Sequence, residues 1–146
     1  MSPETLFQIA NPIALLGWAA LILAPFAPRL ADRVAHLIIP LLMSVAYSAL
    51  MLAHWSGAPG GYGSLPDVMA LFSNPHVALA GWVHYLAFDL FVGAWATRTA
   101  RAEGIPHLLV LPHLGLIFLF GPSGLLTFAA MQIAFRRIAT AKDTTP

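Results

Sequence analysis

An aspartate, a histidine and a tyrosine lie within one strongly apolar stretch, and side chains of these types can carry out proton transfer. The stretch is Gly81–Trp95, GWVHYLAFDLFVGAW, and it contains His84, Tyr85 and Asp89. Removal from water favours the neutral form of a carboxyl group, and imidazole changes its protonation near neutral pH. Asp89 and His84 could therefore supply an acid and a base. The structural alternative is that Asp89 bonds to Tyr85 or to another helix and only holds helices together, and the residues alone leave both readings open.

Helical spacing divides this stretch into two faces. One face carries the aspartate together with polar and small neighbours: Trp82, Tyr85, Asp89, Gly93 and Ala96. The second face is aromatic apart from one histidine: His84, Phe88, Phe91 and Trp95. Small residues let another helix approach closely, so the first face should pack inside a bundle. The second face could line a groove for a long apolar ligand, or it could only contact lipid.

The composition identifies an integral membrane protein. Charged residues make up 9% of the 146-residue chain and hydrophobic residues 59%, whereas a soluble domain is about 25% charged. A net charge of +1 argues against a nucleic-acid partner. The absence of cysteine excludes disulfides, Cys-ligated metals, covalent haem attachment and thiol nucleophiles.

Four apolar runs predict an all-α fold, a four-transmembrane-helix bundle that forms a single membrane domain over residues 1–146. The helices are expected at residues 6–26, 37–55, 75–98 and 107–137. The fourth run is interrupted by FGPSG and is predicted to be one helix kinked at Gly121 and Pro122. As two halves it would form a re-entrant hairpin, and that alternative stays open.

A short helix is predicted in the interface before helix three. Ser64 and Asp67 have the spacing of a helix cap, and the apolar run that follows ends at Phe72. Pro75 then stands at the first position of helix three, where a missing N–H costs nothing.

Helix lengths give expected depths for the polar groups. If helix three ends near Arg98, Asp89 lies about 13 Å from that end, and His113 lies about 9 Å into helix four. Asp89 is therefore expected to share a layer with His113 and with Tyr47 of helix two. His84, about 20 Å deep by the same count, is expected to meet the Gly121–Pro122 break.

The basic residues orient the chain weakly. With four crossings, the two short loops carry four Arg residues on one side of the membrane, and the C-terminus carries three basic residues on the other side. The side with more basic residues is expected to be cytoplasmic, which favours an outside N-terminus. A re-entrant fourth segment would instead place all seven on one side. No Lys or Arg precedes the first apolar run, so that run is expected to be a permanent anchor rather than a signal peptide.

No metal site or cofactor is predicted. No two histidines stand at i and i+4, and no Glu falls within a predicted helix. A haem needs only one histidine ligand, so a metal or a haem stays open.

Two motifs resemble a known family. The segment Leu71–Phe91 contains Trp-x-His-x-x-x-x-Asp-Leu-Phe, and FGPSGLL follows at Phe120–Leu126. Both resemble motifs of the plant neoxanthin synthases, known as abscisic-acid-deficient-four-like proteins. The members of that family are small four-helix membrane proteins. The matching positions are Phe72, Ser73, Trp82, His84, Asp89, Leu90, Phe91, Phe120, Pro122 and Gly124. Because the chain shows no plastid transit peptide, it is expected to be a bacterial member, multi-pass in the inner membrane.

The resemblance implies carotenoid chemistry, namely isomerisation of the epoxide violaxanthin to the allene neoxanthin without a redox cofactor. Asp89 and His84 would be catalytic. The substrate would contact a larger set: Tyr47, Trp82, Tyr85, Phe88, His113, Phe120 and Pro122. The expected partners are a carotenoid or another long apolar ligand, membrane lipid, and a second copy or a larger membrane complex. The alternative is a non-enzymatic carotenoid- or lipid-binding protein, or a small subunit of such a complex.

Overall fold

The computed structural model describes residues 1–143, and these form six helices and no strand. The helices are α1 (Pro3–Ile22), α2 (Pro28–His54), α3 (Leu65–Phe72), α4 (Pro75–Ala102), α5 (His107–Phe120) and α6 (Pro122–Asp143). The predicted all-α class is confirmed.

Three of these helices are long and apolar enough to cross a membrane. They are α1, α2 and α4, with 20, 27 and 28 residues. Helix α5 is apolar but has only 14 residues, about 21 Å of helix, which is shorter than a hydrocarbon core of about 30 Å. The chain is therefore a membrane protein with three candidate spans, and a bundle of four spanning helices is not confirmed.

Helix α4 lies at the centre of the fold. The C-terminal end of α2 meets the start of α4, where the His54 and His76 rings stack with centroids 3.8 Å apart. At the other end Arg101 binds Asp32 at 2.5 Å, so α2 and α4 are antiparallel. Helix α1 runs parallel to α4, and the Trp18 ring packs where Gly93 has no side chain. The prediction that Gly93 allows a close helix approach is confirmed.

Helix α2 begins nine residues before the predicted start. Pro28 occupies its first turn, and residues Asp32–Ile38 form a wide π-helical stretch. Pro40 stands two residues after this stretch; its backbone nitrogen has no hydrogen to donate, and its ring would crowd the carbonyl of His36. The wider winding accommodates that proline.

Helices α5 and α6 form an antiparallel hairpin. Gly121 lies between them with φ +34°, a region that favours glycine. At the far end of the hairpin, Arg136 of α6 returns to form an ion pair with Glu103, which directly follows α4. Gln132 also donates to Glu103, at 2.6 Å. The prediction of one kinked fourth helix is therefore wrong, because the chain reverses direction at Gly121 and the alternative hairpin forms.

The contacts of Glu103 lower the pKa of its carboxyl group. Hydrogen bonds from the Arg136 guanidinium are the largest cause, and Gln132 adds to them. The ionised carboxylate thus fastens the open end of the hairpin to the end of α4.

Helix α3 is present as predicted. The Ser64 hydroxyl accepts the backbone N–H of Asp67 at 3.3 Å and donates to its carboxylate at 2.7 Å. Pro75 begins α4 as predicted, with the Asn74 side chain accepting from the first turn. The position of α3 in a membrane interface stays a prediction.

The two ends of the helix assembly differ in charge. The basic end, as it is called below, holds the α1–α2 turn, the end of α4 and the open end of the hairpin. It carries every basic residue of the sequence: Arg29, Arg33, Arg98, Arg101, Arg136, Arg137 and Lys142. The opposite end, with the N-terminus, the 55–64 loop and α3, carries none.

Candidate functional site

The Asp89 carboxyl group meets the tip of the α5–α6 hairpin. Asp89 stands 14 residues after Pro75 and 13 before Ala102, so it lies about 20 Å from either end of α4. A methyl group added at Gly121 would lie 2.7 Å from Asp89 Oδ1 and 3.2 Å from Oδ2. The carboxyl group therefore packs against the bare α-carbon of Gly121, half-way along the helix.

Backbone groups that are not bonded within their own helix lie near this contact. Pro122 has no N–H, so it cannot bond to the carbonyl of Phe118, four residues earlier. The Tyr85 hydroxyl donates to that carbonyl instead, at 3.0 Å. The first turn of α6 also begins here, and the N–H groups of a first turn lack partners within their helix. The hairpin tip thus brings polar backbone to the depth of Asp89.

One oxygen of Asp89 is left without a partner. Oδ2 is buried and accepts no hydrogen bond from the part of the chain that the structure describes. The Tyr85 hydroxyl interacts with the carboxyl group, but its single proton lies on the Phe118 carbonyl. The Tyr85 hydroxyl therefore lies between the Phe118 carbonyl and the Asp89 carboxyl group.

An aromatic groove opens beside this pair, between α1, α4 and the end of α5. Its volume is about 290 Å³, and Trp82, Tyr85 and Phe118 line it. The Trp82 indole donates to the Asn11 side chain at 2.8 Å and its ring lies 5.4 Å from that of Tyr85. Asn11 therefore fixes the wall of the groove, and Tyr85 connects the groove to Asp89.

His84 lies on a different face of α4. Five residues separate it from Asp89, which places them about 140° apart around the helix axis. The His84 ring lies 5.6 Å from Tyr47 of α2 and stacks on Phe88 at 4.5 Å. The structure thus groups Tyr47, His84 and Phe88 with each other and not at the Gly121 contact.

His113 lies within the hairpin rather than against Asp89. Its Nδ1 is 3.0 Å from the hydroxyl of Thr127, and that hydroxyl donates to the carbonyl of Gly124 at 3.0 Å. Because the hydroxyl proton is used there, His113 Nδ1–H is the donor in this pair. Phe120 and Pro122, at the tip, are both exposed on the protein surface.

The predicted layers are wrong because α4 is longer than predicted. It ends at Ala102 rather than Arg98, and four residues move Asp89 about 6 Å further from that end. Asp89 then lies level with Gly121 instead of His113 and Tyr47. For the same reason His84 lies beyond the break that it was expected to meet.

Two contributors to the site were missed from the sequence. The signal in the sequence that could have identified Asn11 is its polar side chain within an apolar helix. The role of Gly121 as the partner of Asp89 depends on helix depth, and no local pattern reveals it.

The described residues contain no group of three or more His, Asp or Glu side chains that could hold a metal ion. The expectation of no metal or cofactor stays a prediction.

Comparison with known proteins gives one match. No curated protein and no solved structure matches the chain. The model of a family described as ABA4-like, ABA DEFICIENT 4-like, matches residues 5–128. This range includes Asp89, the aromatic groove and the hairpin tip. The family that the motifs predicted is confirmed, and the chain belongs to the ABA DEFICIENT 4-like family.

Proposed function

We propose that this protein is a membrane-embedded enzyme that isomerises a carotenoid epoxide to an allenic alcohol, with Asp89 as the proton donor. One observation carries the proposal. The Asp89 carboxyl group is held at mid-depth with one buried oxygen unpartnered, and its neighbour Tyr85 lines an aromatic groove. The family supports a role related to neoxanthin formation.

The reaction needs only proton transfer. The epoxide C–O bond breaks at the carbon attached to the polyene, and the oxygen gains a proton to become a hydroxyl. The next polyene carbon loses a proton, and the electron pair of that C–H bond forms the cumulated double bond. No atom is added and no oxidant is consumed, so an acid and a base are sufficient.

The surroundings of Asp89 suit the acid role. An ionised carboxylate with an unpartnered oxygen is costly at this depth, which favours the neutral acid before the reaction. Once the proton has moved to the epoxide oxygen, the carboxylate lies at the start of α6, where the helix dipole favours negative charge. Its free oxygen can then accept the proton from the polyene carbon. Asp89 would thus return to its starting form.

His84 has a separate part in the proposal. Because it lies around the helix from Asp89, beside Tyr47, we place it in contact with a more distant part of a long substrate. There it orients the polyene rather than exchanging the proton of the epoxide. Phe88, which stacks on the His84 ring, extends the same apolar surface.

The hairpin supports a topology with three crossings. All seven Lys and Arg residues would then lie on one side of the membrane and none on the other, an asymmetry that supports a cytoplasmic location of the basic end. Assignment to a bacterial inner membrane stays a prediction.

Pigment profiling tests the function. The protein is expressed in a host that accumulates an epoxycarotenoid, beside a host that makes only epoxide-free carotenoids. We expect an allenic product of unchanged mass in the first host and no new pigment in the second. An unmodified pigment that co-purifies in stoichiometric amount would favour the binding-protein alternative. The absence of both a product and a bound pigment would contradict both functions.

A further inference from the structure

A polar cavity separate from the aromatic groove lies between α2 and α4 at the basic end, away from the Asp89 face. Its volume is about 580 Å³, and its lining contains Arg98, Arg101 and His36. Trp95 forms another part of the wall. The proposed reaction uses none of these four side chains.

The cavity continues into an apolar groove through His36. The groove has a volume of about 310 Å³ and runs between α2 and α4 past Leu41, Ser44 and Phe88. From His36 to Ser44 it follows eight residues of α2, about 12 Å along the helix. The polar cavity and the apolar groove therefore adjoin at His36, so that basic side chains lie next to an apolar surface.

His36 lies at the junction with an unused polar atom. Its ring stacks on Phe91 with centroids 4.7 Å apart. Its Nδ1 is buried and has no hydrogen-bond partner in residues 1–143. A ligand at the junction could accept from this nitrogen or donate to it, depending on the tautomer.

The charge of the cavity favours an anion. Arg101 is paired with Asp32, whereas Arg98 has no ion pair among the described residues. One guanidinium thus remains uncompensated at the mouth of an apolar groove. A basic pocket between membrane helices is the environment in which anionic lipid head groups bind.

We infer that this site binds an anionic phospholipid, with the phosphate at Arg98 and His36 and an acyl chain in the groove along Phe91 and Leu41. A lipid whose head group carries no net negative charge would not compensate the charge of Arg98, and a soluble phosphate would leave the groove empty. The combination of a free cation with an adjoining apolar groove selects a ligand that has both parts.

Thermal unfolding of the purified full chain in detergent tests the inference. The additives are phosphatidylglycerol, phosphatidylcholine with the same acyl chains, and glycerol phosphate. We expect phosphatidylglycerol to raise the midpoint clearly more than phosphatidylcholine, and glycerol phosphate to leave it unchanged. Arg98→Gln should weaken the apparent affinity for phosphatidylglycerol about tenfold, since it removes one charge-assisted contact. Arg98→Lys should restore most of it.

Arg137→Gln is the matched control, because it removes the same charge at the basic end from a residue outside the site. Three results would overturn the inference. Equal effects of the two phospholipids would show that the site does not select an anionic head group, since both lipids carry the phosphate and the same acyl chains. Full stabilisation by glycerol phosphate would show a site for soluble anions. An equal loss in Arg137→Gln and Arg98→Gln would show general attraction to basic charge.

Discussion

Gly121 combines two requirements at one residue, a backbone conformation with φ +34° and room for the Asp89 carboxyl group. Gly121→Ala violates both. We expect it to destabilise the protein by about 1–3 kcal/mol, the range for a residue forced into a sparsely populated backbone region. Displacement of Asp89 should also reduce turnover. Thermal unfolding in detergent and pigment conversion measure the two effects.

Gly115→Ala is the control for this substitution. Gly115 lies in the same hairpin, within α5, and a methyl group there would meet no atom within 4 Å. Alanine is the better helix former, so stability should hold or rise slightly. Equal behaviour of the two variants would show that the Gly121 contact with Asp89 has no special importance.

Tyr85 connects the groove, the hairpin tip and the acid through one hydroxyl group. Tyr85→Phe keeps the ring and removes the hydrogen bond to the Phe118 carbonyl, which should cost about 1 kcal/mol of stability. Turnover should fall further than stability explains, because Asp89 loses the hydroxyl group beside it. The comparison is Tyr62→Phe, whose ring packs on Trp55 far from the site. Normal turnover in Tyr85→Phe would remove this residue from the mechanism.

For single residues, the sequence indicated which side chains belong to the site better than it indicated which of them are in contact. Asp89, Tyr85 and Pro122 could be selected because polar or helix-breaking residues are conspicuous in an apolar helix. Their mutual contacts could not, because an error of four residues at the end of α4 shifts every layer by about 6 Å.

Among the elements, the α5–α6 hairpin depends on Glu103. Its pKa is lowered in the folded protein by Arg136 and Gln132. A lowered carboxyl pKa contributes stability that is present above the unfolded value, here 4.5, and that is lost as the pH falls through the folded value. The hairpin should therefore loosen in acid below about pH 4.5.

Glu103→Gln makes this pH dependence measurable. The variant should unfold at a lower temperature than the wild type at pH 7, and the difference should shrink as the pH falls below 4.5. Glu4→Gln serves as the comparison, since its carboxylate accepts from Gln8, one turn away in the same helix. A difference between wild type and Glu103→Gln that stays constant down to pH 3 would show that the ion pair does not stabilise the hairpin.

The existence of the helices was predictable, but the direction of the last one was not. Apolar runs, caps and prolines indicate where helices form. The Gly-Pro break allows either a kink or a reversal, and the choice between them depends on Glu103 meeting Arg136, 33 residues apart. Local patterns carry no information about such a contact.

The topology of the whole molecule can be tested with thiol labelling, because the chain has no cysteine. Single cysteines replace Gly61 in the long loop, Ala102 at the end of α4 and Ala139 near the end of α6. With the hairpin, Ala102→Cys and Ala139→Cys should react with an impermeant reagent from the same side, and Gly61→Cys from the other. If Ala139→Cys reacts together with Gly61→Cys, the fourth segment crosses the membrane.

The fold, the family and the proposed reaction converge on one group, the Asp89 carboxyl. Asp89→Asn retains its shape and removes its titrating proton, so turnover of the epoxycarotenoid per folded protein is the most direct measurement. We expect at least a ~100-fold loss, the lower end of what a positioned acid contributes. His84→Gln should lose less, and Asp67→Asn, changed in the α3 cap, should convert pigment normally. Normal turnover in Asp89→Asn at an unchanged membrane level would contradict the proposed acid. Loss of Asp89→Asn from the membrane would show instead that the aspartate holds the hairpin to α4.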